Sequence, residues 1–238
     1  QIRYSPANAF SGISILGTTA GTNESVTVGN GGVLLNDNNP NLNTFFSVGG
    51  GIDTFSATGL IQAAASGSIT LNATGDISVA AINGYFADGD VRVTSTGGNI
   101  TFGGNVFSGA GFYSTTNPTA GMVTKLASNV QVEETVVISG NLEIISSNAK
   151  INNSLLSGIH DLTIQGNIAG SGLNFELKSG EGNISVQGSI GSGGAMGNVV
   201  ADGDGSFLVS GSVNANSITL GSTKSFANFV RFADTVTV

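Results

Sequence analysis

The residues able to do chemistry are few. The chain holds one histidine, no cysteine, and fifteen acidic side chains against seven basic ones. The histidine, His160, precedes Asp161 in Gly158-Ile159-His160-Asp161-Leu162. A histidine beside a carboxylate is two parts of a nucleophilic triad. Adjacent residues on a strand point to opposite faces, however, and no Gly-x-Ser-x-Gly turn presents a nucleophile. His160 therefore reads as a polar residue at a corner of the chain. Zinc chemistry needs three or four nitrogen, sulfur or carboxylate ligands, which one histidine cannot anchor.

Paired carboxylates are the next candidates, because glycoside hydrolysis needs two across a sugar. Glu133 and Glu134 are neighbours, so a strand splays them apart. Asp88 with Asp90, and Asp202 with Asp204, are two residues apart and share a face, but each pair brackets a glycine, which suits a turn. Only Arg92 stands near one of them as a cation for an acidic substrate. Calcium prefers such oxygen-rich turns. Yet no glutamate follows Asp202-Gly203-Asp204-Gly205 at EF-hand distance, and no Gly-Gly-x-Gly-x-Asp nonapeptide recurs in tandem. These aspartates read as solvated turn residues. Tyr85 and Tyr113, among Ser, Thr and Asn, offer rings for a glycan, with Tyr113 placed in a loop. The expectation is a non-enzymatic protein, with no catalytic, cofactor-binding or metal-binding residue assigned and no cofactor.

What must position these residues follows from composition. Charged residues make up 9% of 238, against roughly 25% in an ordinary soluble domain. There are 37 glycines, 25 asparagines and three prolines. Scarce proline and the lack of a strict glycine period exclude collagen. The 39% apolar content with 13 Phe excludes a disordered chain. Abundant Gly, Ser, Thr and Asn compete with helical hydrogen bonding, which leaves an all-β chain. A net charge of −8 gives neither a nucleic-acid stripe nor a polybasic lipid patch. No apolar run reaches the ~20 residues of a membrane helix, so no membrane insertion is expected.

One phrase recurs: two apolar residues bracketing any residue, a spacer, Gly, Asn or Ser, then an apolar residue. It begins at Ile100, Val136, Leu162, Ile184 and Phe207, so the last three intervals are nearly equal and the first is the longest. That long interval reads as a coil stretched by a loop. A second phrase precedes some of these: Val91-Arg92-Val93 leads to Ile100 and Phe175-Glu176-Leu177 to Ile184, at the same offset in both cases, and Ile69-Thr70-Leu71 leads to Ile77. Each unit is a short alternating strand, a Gly/Asn/Asp turn and another strand.

A strand pair cannot bury its apolar face alone, but stacked copies share a core. Three short strands and three turns make about 22 residues, one coil of a right-handed parallel β-helix. Ile, Val and Phe then stack as interior ladders, with Ile100, Phe102, Ile164, Ile184, Val186 and Val209 inward. Asparagines stack amide on amide at the turns, and glycines supply positive φ. The competing architecture is an antiparallel sandwich. Residues 36–51, 107–121 and 191–205 read as longer surface loops. Leu60 to Ala65 reads as strand. Residues 1–238 form a single β-helical domain, compatible with an excised part of a longer rod.

Gly67-Ser68-Ile69-Thr70-Leu71-Asn72-Ala73-Thr74-Gly75-Asp76-Ile77, Gly98-Asn99-Ile100-Thr101-Phe102 and Gly182-Asn183-Ile184-Ser185-Val186 resemble the repeats of filamentous haemagglutinin-like, autotransporter-type bacterial exoproteins. The likeness covers roughly residues 60–220. Asn39-Pro40-Asn41-Leu42 matches one motif of that family's secretion domain, but the second, Asn-Pro-Asn-Gly-Ile, is absent, so no secretion domain is assigned. The resemblance implies a long right-handed β-helix at the bacterial cell surface or outside it, serving as a rigid stalk or adhesin module that meets a glycan or cell-surface receptor. The alternatives are a self-assembling filament, sheath or surface-layer subunit and a β-helical polysaccharide-degrading enzyme. The apolar stretch 226–238 and Gln1-Ile2-Arg3-Tyr4 are expected to act as edge strands for head-to-tail self-association.

Overall fold

The structure is a computed structural model. It describes residues 2–3, 12–16, 26–27, 33–34, 43–48, 52–53, 60–62, 69–73, 76–79, 81–84, 90–154, 158–221 and 229–238. Within them the chain forms 28 short strands and one 3-10 turn, Pro118–Ala120. Every named strand pairing is parallel, and through most of the chain each strand pairs with the third strand on. The result is three sheets of eleven, ten and seven strands. The chain winds repeatedly through three faces, here called A, B and C. This is a parallel β-solenoid, and the sandwich is excluded.

Coil length is read from the register. On face B, Ile69 stacks under Val91, then Phe112, Val136, Leu162, Ile184, Phe207 and Val230. Each step is one coil, about 23 residues on average. Alternation then sends every second side chain inward. Ile100, Phe102, Ile164, Ile184, Val186 and Val209 are all fully buried, as expected. Phe102 and Phe112 meet edge to face with ring centroids 5.4 Å apart, an arrangement that favours the ring quadrupoles. One polar pair inside the solenoid satisfies itself: Ser114 Oγ and Thr124 Oγ1 lie 2.9 Å apart.

Several expectations need correcting. The long interval after Ile100 is not a stretched coil. Ile100 lies on face C, stacked over Ile77, whereas the other four copies lie on face B. The three supposed loops contain strands: Asn43–Val48, Phe112–Thr115 and the seven-residue Met196–Asp202. Phe112–Thr115 is bonded to Val91–Ser95 on one edge and Val136–Ser139 on the other. Phe, Tyr and Thr suit a pleated strand and two parallel partners complete it; the flanking Gly109, Gly111, Asn117 and Pro118 hide it in the sequence. Leu60–Gln62 is a strand, as read.

The corners explain the Gly-Asn/Ser dipeptide of the repeated phrase. Gly140, Gly166, Gly188 and Gly211 stack at one corner, and a Cβ on Gly188 would lie 2.5 Å from the Gly166 carbonyl oxygen. Only Gly140 of the four has positive φ. Close approach between coils, rather than a left-handed turn, makes the other three glycine. The neighbouring residues form a ladder of a different kind from the amide-to-amide stack expected. Asn167 N donates to Asn141 Oδ1 (2.9 Å), Ser189 N to Asn167 Oδ1 (2.8 Å) and Ser212 N to Ser189 Oγ (3.1 Å). Each side chain thus satisfies a backbone N–H that the corner removes from the sheet ladder.

Candidate functional site

The described outer surface carries a substantial depression, a groove of about 440 Å3 on face A. Its position follows from the register. Lys150, Glu176 and Val200 occupy one outward column on successive strands, with Asn129 below Lys150. Two residues earlier in each of the three coils stand Asn148, Asn174 and Asn198, a second column about 7 Å from the first. Strand rungs repeat at about 4.8 Å, so the groove runs along the solenoid axis. Phe175 lies beneath it but is only 2% exposed, so it offers no ring face.

The amide column is held in place. Asn198 N donates to Asn174 Oδ1 at 2.7 Å, and Asn174 N donates to Ser147 Oγ at 3.2 Å. Ser217 Oγ donates to Asn198 Oδ1 at 2.9 Å. With these oxygens engaged, the side-chain NH2 groups of Asn174 and Asn198 have no acceptor among the described residues.

The charged column behaves unlike its counterparts. Lys125 and Glu143, stacked on face C, form an ion pair at 3.1 Å. Lys178 and Asp202, stacked on face A, form one at 3.4 Å. Lys150 and Glu176 are stacked in the same way and form none. A cation and an anion are thus held side by side in the groove with their polar atoms unspent.

The residues singled out in the sequence lie elsewhere. His160 sits half-buried at a corner between faces A and B, as expected, and its carbonyl oxygen accepts from Asn153 Nδ2 at 2.8 Å. Asp161 is exposed and accepts from Asn183 N at 2.8 Å and from Asn183 Nδ2 at 3.1 Å. Glu133 and Glu134 follow the strand Asn129–Val132, their N–H groups donating to Ser108 and Ala110. Asp90 accepts from Gly111 N at 3.0 Å and pairs with Arg92 at 2.5 Å; Asp88 lies outside the described residues. Tyr113 is not in a loop. It belongs to the strand Phe112–Thr115, stacked on Arg92, whose guanidinium lies 3.9 Å from the ring centroid. Tyr85 and Asn39-Pro40-Asn41-Leu42 lie outside the described residues.

Asp202 requires the largest revision. It is not a solvated turn residue but the last residue of the strand Met196–Asp202, and it is fully buried. Asp204 lies past the strand end and is half-buried. No three of His, Cys, Asp and Glu come together to hold a metal among the described residues. Compared with protein-family models, with curated proteins and with solved structures, the chain matches none.

The groove residues escaped sequence reasoning because none belongs to a catalytic motif. A signal was nonetheless present. Asn148, Asn174 and Asn198 recur once per coil.

Proposed function

We propose that this chain is a non-enzymatic, extracellular or cell-surface rod, a rigid β-helical stalk or adhesin module of the filamentous haemagglutinin type. The observation that carries the reading is the unbroken stacking of face A, where Ile2, Val33, Ile61, Ile82, Val106, Val130, Ile151 and Leu177 follow one another in register. The ten rungs of this face, the eleventh strand of its sheet pairing on face C, at about 4.8 Å each, give a body on the order of 50 Å long. Stiffness is what a spacer requires, and each coil gains it from its neighbours. Antibody labelling of intact source cells tests the location: a signal only after permeabilisation overturns it. Reducing-sugar release from a polysaccharide panel would overturn the non-enzymatic part.

A second reading, a subunit of a polymer, is favoured by one observation. Phe207 and Val213 are 1% exposed, whereas their stacked neighbours in the last described coil, Val230 and Val236, are 39% and 40% exposed. A further coil, of this chain or of a second copy, would bury them.

A further inference from the structure

We propose that the face-A groove binds a linear, uncharged polysaccharide lying along the solenoid axis. The proposal adds a ligand class to the adhesin reading, but it stands on the groove alone. The donors repeat once per rung in the amide column, which calls for a ligand that is itself a polymer extended along the axis. Across three rung intervals the groove runs on the order of 14 Å, room for an oligosaccharide rather than a single sugar.

The chemistry on offer is mixed. Asn148, Asn174 and Asn198 present amide NH2 donors, Lys150 adds a cationic donor and Glu176 a carboxylate acceptor. Sugar hydroxyls donate and accept, so they satisfy both kinds of group at once. The amides of Asn174 and Asn198 are already fixed by their bonds to the protein, so little side-chain freedom is lost on binding. Failure of Lys150 and Glu176 to pair, where the two other stacked lysine–acid pairs close, leaves both groups for a ligand. With Phe175 covered, recognition rests on hydrogen bonds rather than ring stacking. The net charge of −8 repels polyanions, and Lys150 and Glu176 cancel locally, so the favoured chain is neutral.

The test is isothermal titration calorimetry of residues 1–238 against oligosaccharides of glucose, xylose, galactose and N-acetylglucosamine, with oligogalacturonate as the anionic comparison. At least one neutral series should bind. Its affinity should fall about tenfold or more in the triple variant Asn148→Ala, Lys150→Ala, Glu176→Ala, each removing a hydrogen-bonding group. None of these side chains bonds another described residue, so the unfolding midpoint should hold; if the triple variant fails to fold, Lys150→Ala alone serves. Absence of binding by every neutral series, binding unchanged in the variant, or preference for oligogalacturonate each overturns the proposal. Hydrolysis of a bound oligosaccharide would sink the non-enzymatic reading and leave the groove standing. Absence of binding by the folded parent chain does the reverse.

Discussion

The Nζ of Lys178 lies 3.4 Å from Oδ2 of Asp202, one rung along face A, and the Asp202 side chain has no exposure at all. A buried carboxylate is tolerated because a cation and further polar contacts meet it. Lys178→Met keeps most of the side-chain volume but leaves the charge, and should cost about 3 kcal/mol. Asp202→Asn should cost less, since Lys178 is a quarter exposed and can turn to water. Urea unfolding of both single variants and the double variant measures the coupling. A Lys178→Met protein no less stable than the parent would show that the pair is not needed.

Val186 tests the inward register. It is fully buried between Ile164 and Val209 on face B, while Ser185 beside it points outward. Val186→Asp places an unpaired charge in the core and should cost more than about 4 kcal/mol, opening or unfolding the rod. Ser185→Asp should stay within about 0.5 kcal/mol. Thermal melts followed by far-ultraviolet circular dichroism distinguish the two. A Ser185→Asp protein that melts below Val186→Asp would mean that the faces are assigned the wrong way round.

The corner glycines separate two kinds of constraint. A Cβ at Gly182 would collide with the carbonyl oxygen of His160, a backbone atom that cannot swing away. Gly182→Ala must push two coils apart and should cost about 3 kcal/mol or more. Gly193 has φ of +89° but open space around it, so Gly193→Ala meets only backbone strain, about 1 kcal/mol. Chemical denaturation that ranks Gly193→Ala as the worse substitution would contradict the close stacking at the His160 corner.

Much of this architecture is readable from residue order, and the reason is periodic stacking. Once a coil of about 22 residues is recognised, alternation alone puts Ile164, Val186 and Val209 inside. What a single sequence blurs is phase. Ile100-Thr101-Phe102 and Val136-Val137-Ile138 look alike because any face of a solenoid asks for the same alternation, yet they belong to different faces. Strands such as Met196–Asp202 are hidden because their Gly, Asn and Asp residues favour turns locally, while pairing on both edges decides otherwise. The groove is illegible for a third reason: its residues lie a whole coil apart in sequence, and their side chains have no motif in common. Only the register places Lys150 against Glu176.

His160 provides a negative control. Its ordered part is the backbone carbonyl that receives Asn153 Nδ2, which substitution does not remove. His160→Ala should therefore shift stability by no more than about 0.5 kcal/mol and change no binding or activity. An activity lost with that imidazole would mean that the corner, and not the groove, is the functional site.

The last described coil makes the claim about partners testable. Its Leu220, Val230 and Val236 continue columns whose members one rung below, Ala201, Phe207 and Val213, are almost fully covered. The same columns run down to Ile2, Ile13 and Val26 in the first coil. One copy's first coil thus carries, position for position, the apolar residues that would continue another copy's last. Among the described residues neither edge has a further pairing strand, and a contact between the two edges is heterologous, so it does not close on itself. Residues 1–238 should therefore form chains whose length grows with concentration, visible in light scattering and negative-stain microscopy. Val230→Lys with Val236→Lys places two cations at the edge, where the wild-type side chains are already 39% and 40% exposed, so the rod should keep its fold and lose the association. A parent chain that remains monomeric at high concentration, or a lysine variant that still polymerises, would remove the head-to-tail contact and leave the solitary stalk.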